Sequence, residues 1–232
     1  RFRVAIYNTQ TLQSEVLTES FDYTTDNLSW SFDSKSVYFT ADNRGYCPVY
    51  RIDVQSKNIT KVTDDKAILD YQVTKDEQTV YALFSAVDKP GEIYSYNVNG
   101  SEYSQITYFN KKLIEETDIR PAEQMWVDGA EGIPVHVFIV KPHGYEENKK
   151  YPLIINVHGG PQMQWMDSFR GDWQVYPGSG YVVAFFNPHG STGYGSAYTE
   201  AISRDWGGKV YEDVMKVTEA LEKLAYIDSN SV

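Results

Sequence analysis

Leu153-Ile154-Ile155-Asn156-Val157-His158-Gly159-Gly160-Pro161 is the stretch on which the reading of this chain turns. Its first five residues are a mostly apolar run, which reads as a buried parallel strand. A sharp turn nearly free of side chains follows. Backbone N–H groups in a turn of this kind can hold a developing oxyanion. Two glycines let another molecule approach the main chain closely, because no Cβ stands in the way. Pro161 carries no N–H, and Gly160 before it is expected to be extended. The candidate donors are therefore the amides of Gly159 and Gly160. The same residues also fit a strand–loop–helix turn that merely needs glycine. On this stretch alone the two readings stand level.

Around it the chain alternates strands and helices. Glu123–Val127 and Val135–Val140 read as an antiparallel pair about the turn Asp128-Gly129-Ala130-Glu131-Gly132. A short helix is expected near residues 169–176, a second buried strand at 180–186 and a helix at 196–204. Val214, Val217, Leu221 and Leu224 recur at helical spacing, the mark of an amphipathic helix. Such alternation implies a parallel α/β sheet.

The first 108 residues have a different grammar. Ser36-Val37-Tyr38 returns as Thr79-Val80-Tyr81, and Asp33 as Asp76, both 43 residues on. Val49–Val54 returns as Ile93–Val98, and Lys61-Val62-Thr63 as Gln105-Ile106-Thr107, 44 residues on. Asp33-Ser34-Lys35, Asp76-Glu77-Gln78, Ser56-Lys57-Asn58 and Asn99-Gly100-Ser101 read as hairpin turns. Repeats of about 40–50 residues with several short strands each are the signature of β-propeller blades. Two units are visible, and residues 4–18 read as half of a third. One blade cannot close a core alone, and a complete ring does not fit in 232 residues. The chain is therefore expected to be a piece of a longer protein. Residues 111–117 read as a polar connector between the halves.

Composition narrows the function classes. Lys and Arg number 21 against 32 Asp and Glu, a net charge of −11. This argues against nucleic-acid partners and anionic membrane surfaces. No apolar stretch approaches the roughly 20 residues of a membrane span. The 19 Tyr, 10 Phe and 5 Trp favour β structure in the first half. Cys47 is the single cysteine, so no internal disulfide can form. Asp, Glu and His show no metal-ligand spacing, and the run 190–195 lacks the Lys of a phosphate-binding loop. No metal or cofactor is expected.

His158-Gly159-Gly160-Pro161-Gln162, Asn187-Pro188-His189-Gly190-Ser191-Thr192-Gly193-Tyr194-Gly195, Asp205-Trp206-Gly207-Gly208 and Tyr211-Glu212-Asp213-Val214 together resemble the prolyl oligopeptidase family of serine peptidases. The branch they resemble is that of the acylaminoacyl-peptidases and dipeptidyl-peptidases 5. The resemblance implies the last blades of a β-propeller over residues 1–112. Residues 113–232 would then be the N-terminal part of an α/β-hydrolase domain, ending before the nucleophile elbow. It implies cleavage of short peptides through an acyl-enzyme, with Gly160 as the oxyanion-hole amide and Gly159 beside it. His158 is expected to be structural. Homo-oligomers fit the reading, and a periplasmic or secreted location is suggested by resemblance only.

The nucleophilic Ser and its Asp and His partners are not expected in this chain. No Ser stands in Gly-x-Ser-x-Gly: Pro177, His189 and Tyr194 occupy the first position before Ser179, Ser191 and Ser196. His136, His143, His158 and His189 all precede the expected nucleophile, whereas the fold's chain order puts the catalytic His last. His136 reads as a strand residue facing solvent, His143 as a turn residue, and Glu115-Glu116 as a solvated pair. Two alternatives remain: an esterase on the same fold, and a non-enzymatic propeller binding protein.

Overall fold

The computed structural model describes residues 1–99 and 102–232. Gly100 and Ser101, expected in a turn, lie outside the described residues. The first half is built from antiparallel sheets. Strands β1 (Ala5–Asn8) and β2 (Gln13–Val16) form a hairpin. Next come β3 (Thr25–Trp30), β4 (Ser36–Ala41), β5 (Val49–Asp53) and β6 (Ile59–Lys61), paired in chain order. The second unit repeats the order with β7 (Ala67–Val73), β8 (Thr79–Ala86), β9 (Lys89–Asn97) and β10 (Tyr103–Gln105).

The sequence repeat is also a repeat of turn chemistry. Ser31 donates to Asp33 Oδ1 at 2.7 Å, and Thr74 donates to Asp76 Oδ1 at 2.6 Å. Each carboxylate then accepts the amide two residues on, from Lys35 and Gln78. Such local bonds favour a turn over continued strand. Strand β4 is buried on both faces. Val37, Phe39 and Ala41 enter a core with Val4, Leu17 and Ile52, while Tyr38 enters another with Val80, Ala82 and Tyr96. The sheets therefore stack face to face.

Residues 111–117 depart from the expected connector. Lys111–Glu116 form helix α1, which buries no residue. Ion pairs Lys111–Glu115 (3.7 Å) and Lys112–Glu116 (3.8 Å) lie along its surface. Each is worth only about 0.3–0.5 kcal/mol, and with no apolar stripe the segment gives no periodic signal. Glu115 and Glu116 are solvated, as expected.

The second half centres on one mixed sheet. Its strands are β11 (Ala122–Asp128), β12 (Pro134–Val140), β13 (Leu153–Val157) and β14 (Val182–Asn187), in the order β11-β12-β14-β13. Strand β13 runs parallel to β14, and the other pairings are antiparallel. The expected buried strand at 153–157 is thus parallel but only partly buried. It has one neighbour among the described residues, and Val157 is 39% exposed. Helix α2 (Asp172–Gly178) begins three residues later than expected, and α3 (Ser196–Glu200) ends four residues earlier. Helix α4 (Gly208–Glu222) places Asp213, Val217 and Leu221 against the sheet. Of the two glycines expected in the break between α3 and α4, Gly207 caps α4 and Gly208 is its first residue, where Asp205 accepts the Gly208 amide at 2.9 Å.

The two halves are joined through main-chain groups. Buried Gln164 accepts from the Gly45 amide at 2.9 Å and donates to the Tyr46 carbonyl at 2.7 Å. The Arg44 amide donates to the Gly193 carbonyl, and the Asp167 carboxylate accepts from the Val87 amide, both at 2.9 Å. Gly193 has φ +86°, and a Cβ there would collide with the Gln164 side chain, so only glycine fits.

Candidate active site

Strand β13 ends at Val157, and the chain turns at once through His158, Gly159 and Gly160. Both glycines are exposed, and nothing lies within 4 Å of where a Gly159 Cβ would be. Gly160 has φ +129°. This is not the ordinary extended φ expected before proline but one that glycine alone adopts freely, because it has no Cβ to clash. Among the described residues neither the Gly159 nor the Gly160 amide has an acceptor.

The turn leads into Gln162, Met163 and Gln164. These line an open cavity of about 720 Å³ between the mixed sheet and the stacked sheets. Asp26, Asp42 and Asp70 stand on the opposite wall. Asp26 and Asp70 are repeat equivalents 44 residues apart, and each caps the amide of its following residue at 2.8 Å. Thr192 donates to Asp42, whose carboxyl burial pushes above the usual range. Cys47 lines the same cavity, and burial pushes its thiol up to about 12, so it is no nucleophile near neutral pH.

The histidines are placed differently from one another. His158 bridges two loops: Nδ1 lies 3.0 Å from its neighbour's carbonyl at Gly159, and Nε2 lies 3.0 Å from Ser191 Oγ. Burial holds its pKa below the usual value. His136 does not face solvent. It is 2% exposed, stacked on Trp126 with centroids 4.3 Å apart, and bonded to Tyr194 and Gln124 at 3.0 Å. Burial, aided by the charge of Arg44, pushes it down to about 4. The outward reading fails because both faces of β12 are covered. His143 stands in a turn, its amide bonded to the Pro177 carbonyl.

His189 and Asp213 form a pair that sequence reasoning missed. Both side chains are wholly buried, with His189 Nδ1 2.7 Å from Asp213 Oδ2. The same carboxylate accepts the His189 amide at 2.7 Å and the Ala130 amide at 2.8 Å. The legible signal was Asp213 itself, an acid at the buried spacing of Val217 and Leu221. Ser179 and Ser196 lie at helix ends, bonded to Val175 and Asp22. Ser191 is buried and donates to the Pro188 carbonyl at 2.6 Å. Among the described residues no group of His, Cys, Asp and Glu has the arrangement of a metal site. Among the described residues no helix is long and apolar enough to cross a membrane.

Residues 153–232 match the prolyl oligopeptidase family. The chain is 33% identical over 200 residues to an uncharacterized peptidase, YuxL, of Bacillus subtilis (strain 168), covering 86% of this chain and 30% of that protein. It is 31% identical over 223 residues to dipeptidyl-peptidase 5 of Trichophyton schoenleinii, covering 93% and 30%. The fold superposes on Pyrococcus horikoshii acylaminoacyl peptidase with a TM-score of 0.84 at 20% identity, over 97% of this chain and 34% of that one. The chain thus spans about 30% of the length of the curated relatives it matches. The resemblance carried by the His158–Pro161 turn and the glycine run 190–195 holds: it falls within residues 153–232, the part of the chain that matches the prolyl oligopeptidase family.

Proposed function

We propose that the whole protein is a serine-type peptidase that cleaves short peptides through an acyl-enzyme. In this reading the Gly160 amide is an oxyanion donor, with the Gly159 amide beside it. The observation that carries it is the pair of adjacent, exposed amides without acceptors at the C-terminal end of β13. Ligands of α/β sheets bind beyond the carboxyl ends of the strands. Relatives named as a peptidase, a dipeptidyl-peptidase and an acylaminoacyl peptidase support the same chemistry. One well-placed oxyanion donor is worth about 2.7–4 kcal/mol of transition-state stabilisation.

The architecture is proposed to match. Residues 1–112 are the last blades of a β-propeller, supported by two stacked sheets of four strands each. Residues 113–232 begin an α/β-hydrolase domain, with the mixed sheet as its first strands and α1 at the junction. The serine, aspartate and histidine of the triad lie outside these 232 residues. Peptide enters the cavity between Gln162–Gln164 and the blades.

A fluorophosphonate probe is expected to label a serine in the full-length protein and to leave the 232-residue chain unlabelled. Labelling of the short chain, or none of the full-length protein, sinks the reading. Faster turnover of aminoacyl-nitroanilides than of simple acyl esters separates a peptidase from an esterase.

A further inference from the structure

We propose that His158 is the positioning residue of the oxyanion turn: its ring, clamped by Ser191, fixes the Gly159 carbonyl and thereby aims the Gly160 amide. This rests on the peptidase reading above. The Gly159 carbonyl and the Gly160 N–H belong to one planar trans peptide unit, so they point in opposite directions. Whatever holds the carbonyl sets the direction of the N–H. Two adjacent glycines leave that plane weakly constrained by sterics, and around Gly159 there is open space. Pre-organised donors stabilise an oxyanion because they need not reorient during the reaction.

The holding contact is His158 Nδ1 to Gly159 O at 3.0 Å. The ring is held in turn at its other nitrogen, 3.0 Å from Ser191 Oγ, and lies edge-on to Trp165 with centroids 5.8 Å apart. Ser191 is wholly buried, in a loop whose His189 is anchored to Asp213 on α4. A rigid interior element thus reaches an exposed glycine turn through one imidazole. For a neutral ring, the tautomer that serves the Gly159 carbonyl carries its proton on Nδ1. Nε2 then faces the Ser191 hydroxyl, whose single proton is shared between the Pro188 carbonyl at 2.6 Å and Nε2 at 3.0 Å.

The test uses the full-length protein and three variants: His158→Phe, His158→Asn and Ser191→Ala. Phenylalanine keeps the ring and removes both nitrogens. Asparagine places an N–H near the Nδ1 position. On an aminoacyl-nitroanilide, His158→Phe is expected to lower kcat about 10-fold or more, as loss of donor alignment should, with KM little changed. Inhibition by a peptide aldehyde, whose hemiacetal places an oxygen in the same hole, should weaken by the same factor. His158→Asn should restore most of both, and Ser191→Ala should lower kcat by a smaller factor. Unchanged kcat in His158→Phe, or a rise in KM alone, overturns the proposal. Should His158→Phe not fold, unchanged kcat in Ser191→Ala overturns it instead. A wild type that takes up no phosphonate and cleaves no peptide overturns the peptidase reading as well, so the two failures are distinguishable.

Discussion

Strand β9 in the first half and strand β14 in the second bury their residues in opposite ways. Along β9 buried and more exposed positions alternate, with Glu92, Tyr94 and Tyr96 inward and Ile93 38% exposed. Along β14 all six residues are buried. The cause is layering. Tyr81 and Ile93 share a sheet face that the described residues leave open to water. Strand β14 lies between two cores: Val182, Ala184 and Phe186 pack with α4, and Val183 and Phe185 pack with Trp173 of α2. A sheet open on one face lets water satisfy its polar groups. A sheet covered on both must satisfy them internally, because an unpaired buried polar group costs about 1–3 kcal/mol. Hence His136, Asn187 and Asp213 are each bonded within the second half, and the His189 ring is bonded there at Nδ1.

The strongest attempt to break this contrast is Asp213→Ala. It removes the acceptor of the His189 ring and of two buried amides. Loss of one partner from a buried pair is expected to cost about 3–5 kcal/mol, read from urea unfolding of the full-length protein. Asp213→Asn, which keeps an acceptor oxygen, should cost less.

A pH titration sharpens the contrast next. His136 is held near 4 in the folded protein by burial and Arg44, against about 6.5 when unfolded. Its contribution to stability is fully present above the unfolded value. As pH falls from about 6.5 toward 4, the unfolded state binds the proton first and that contribution is lost, on the order of 3 kcal/mol. His136→Gln should flatten this part of the stability–pH curve. An unchanged slope would place the ring in solvent after all.

The smallest effect belongs to the stacked sheets. Ile52→Val trims one methylene from a wholly buried side chain in an apolar core. It should cost about 0.5–1.5 kcal/mol. A larger loss here than in Asp213→Ala would reverse the ranking of the two halves.

Legibility in the sequence follows the same division. The repeat units were readable because side-chain alternation and Asp-based turns recur at 43 and 44 residues, and such signals are local. Helix α4 was readable from one apolar stripe. The short helix α1 was not, since its two apolar residues, Leu113 and Ile114, are adjacent and exposed and mark no repeating face. His136 was misplaced because alternation says which residues share a face, not whether that face is covered. At the site, Gly159 and Gly160 stood out as adjacent glycines directly after an apolar strand. The His158–Ser191 contact spans 33 residues and the His189–Asp213 pair 24, and neither spacing carries a periodic signal.

The sequence by itself determined the strand repeats, the glycine turn after an apolar strand, and the absence of Gly-x-Ser-x-Gly from these 232 residues. These are properties of neighbouring residues, set by backbone sterics and the two-residue period of a strand. Only the tertiary structure decided which faces of β4 and β14 are covered. It also brought Gln164 to the Gly45 and Tyr46 backbone, and the His158 ring between Gly159 and Ser191. Those contacts exist because packing two layers against one sheet excludes water, and polar groups distant in sequence must then find one another.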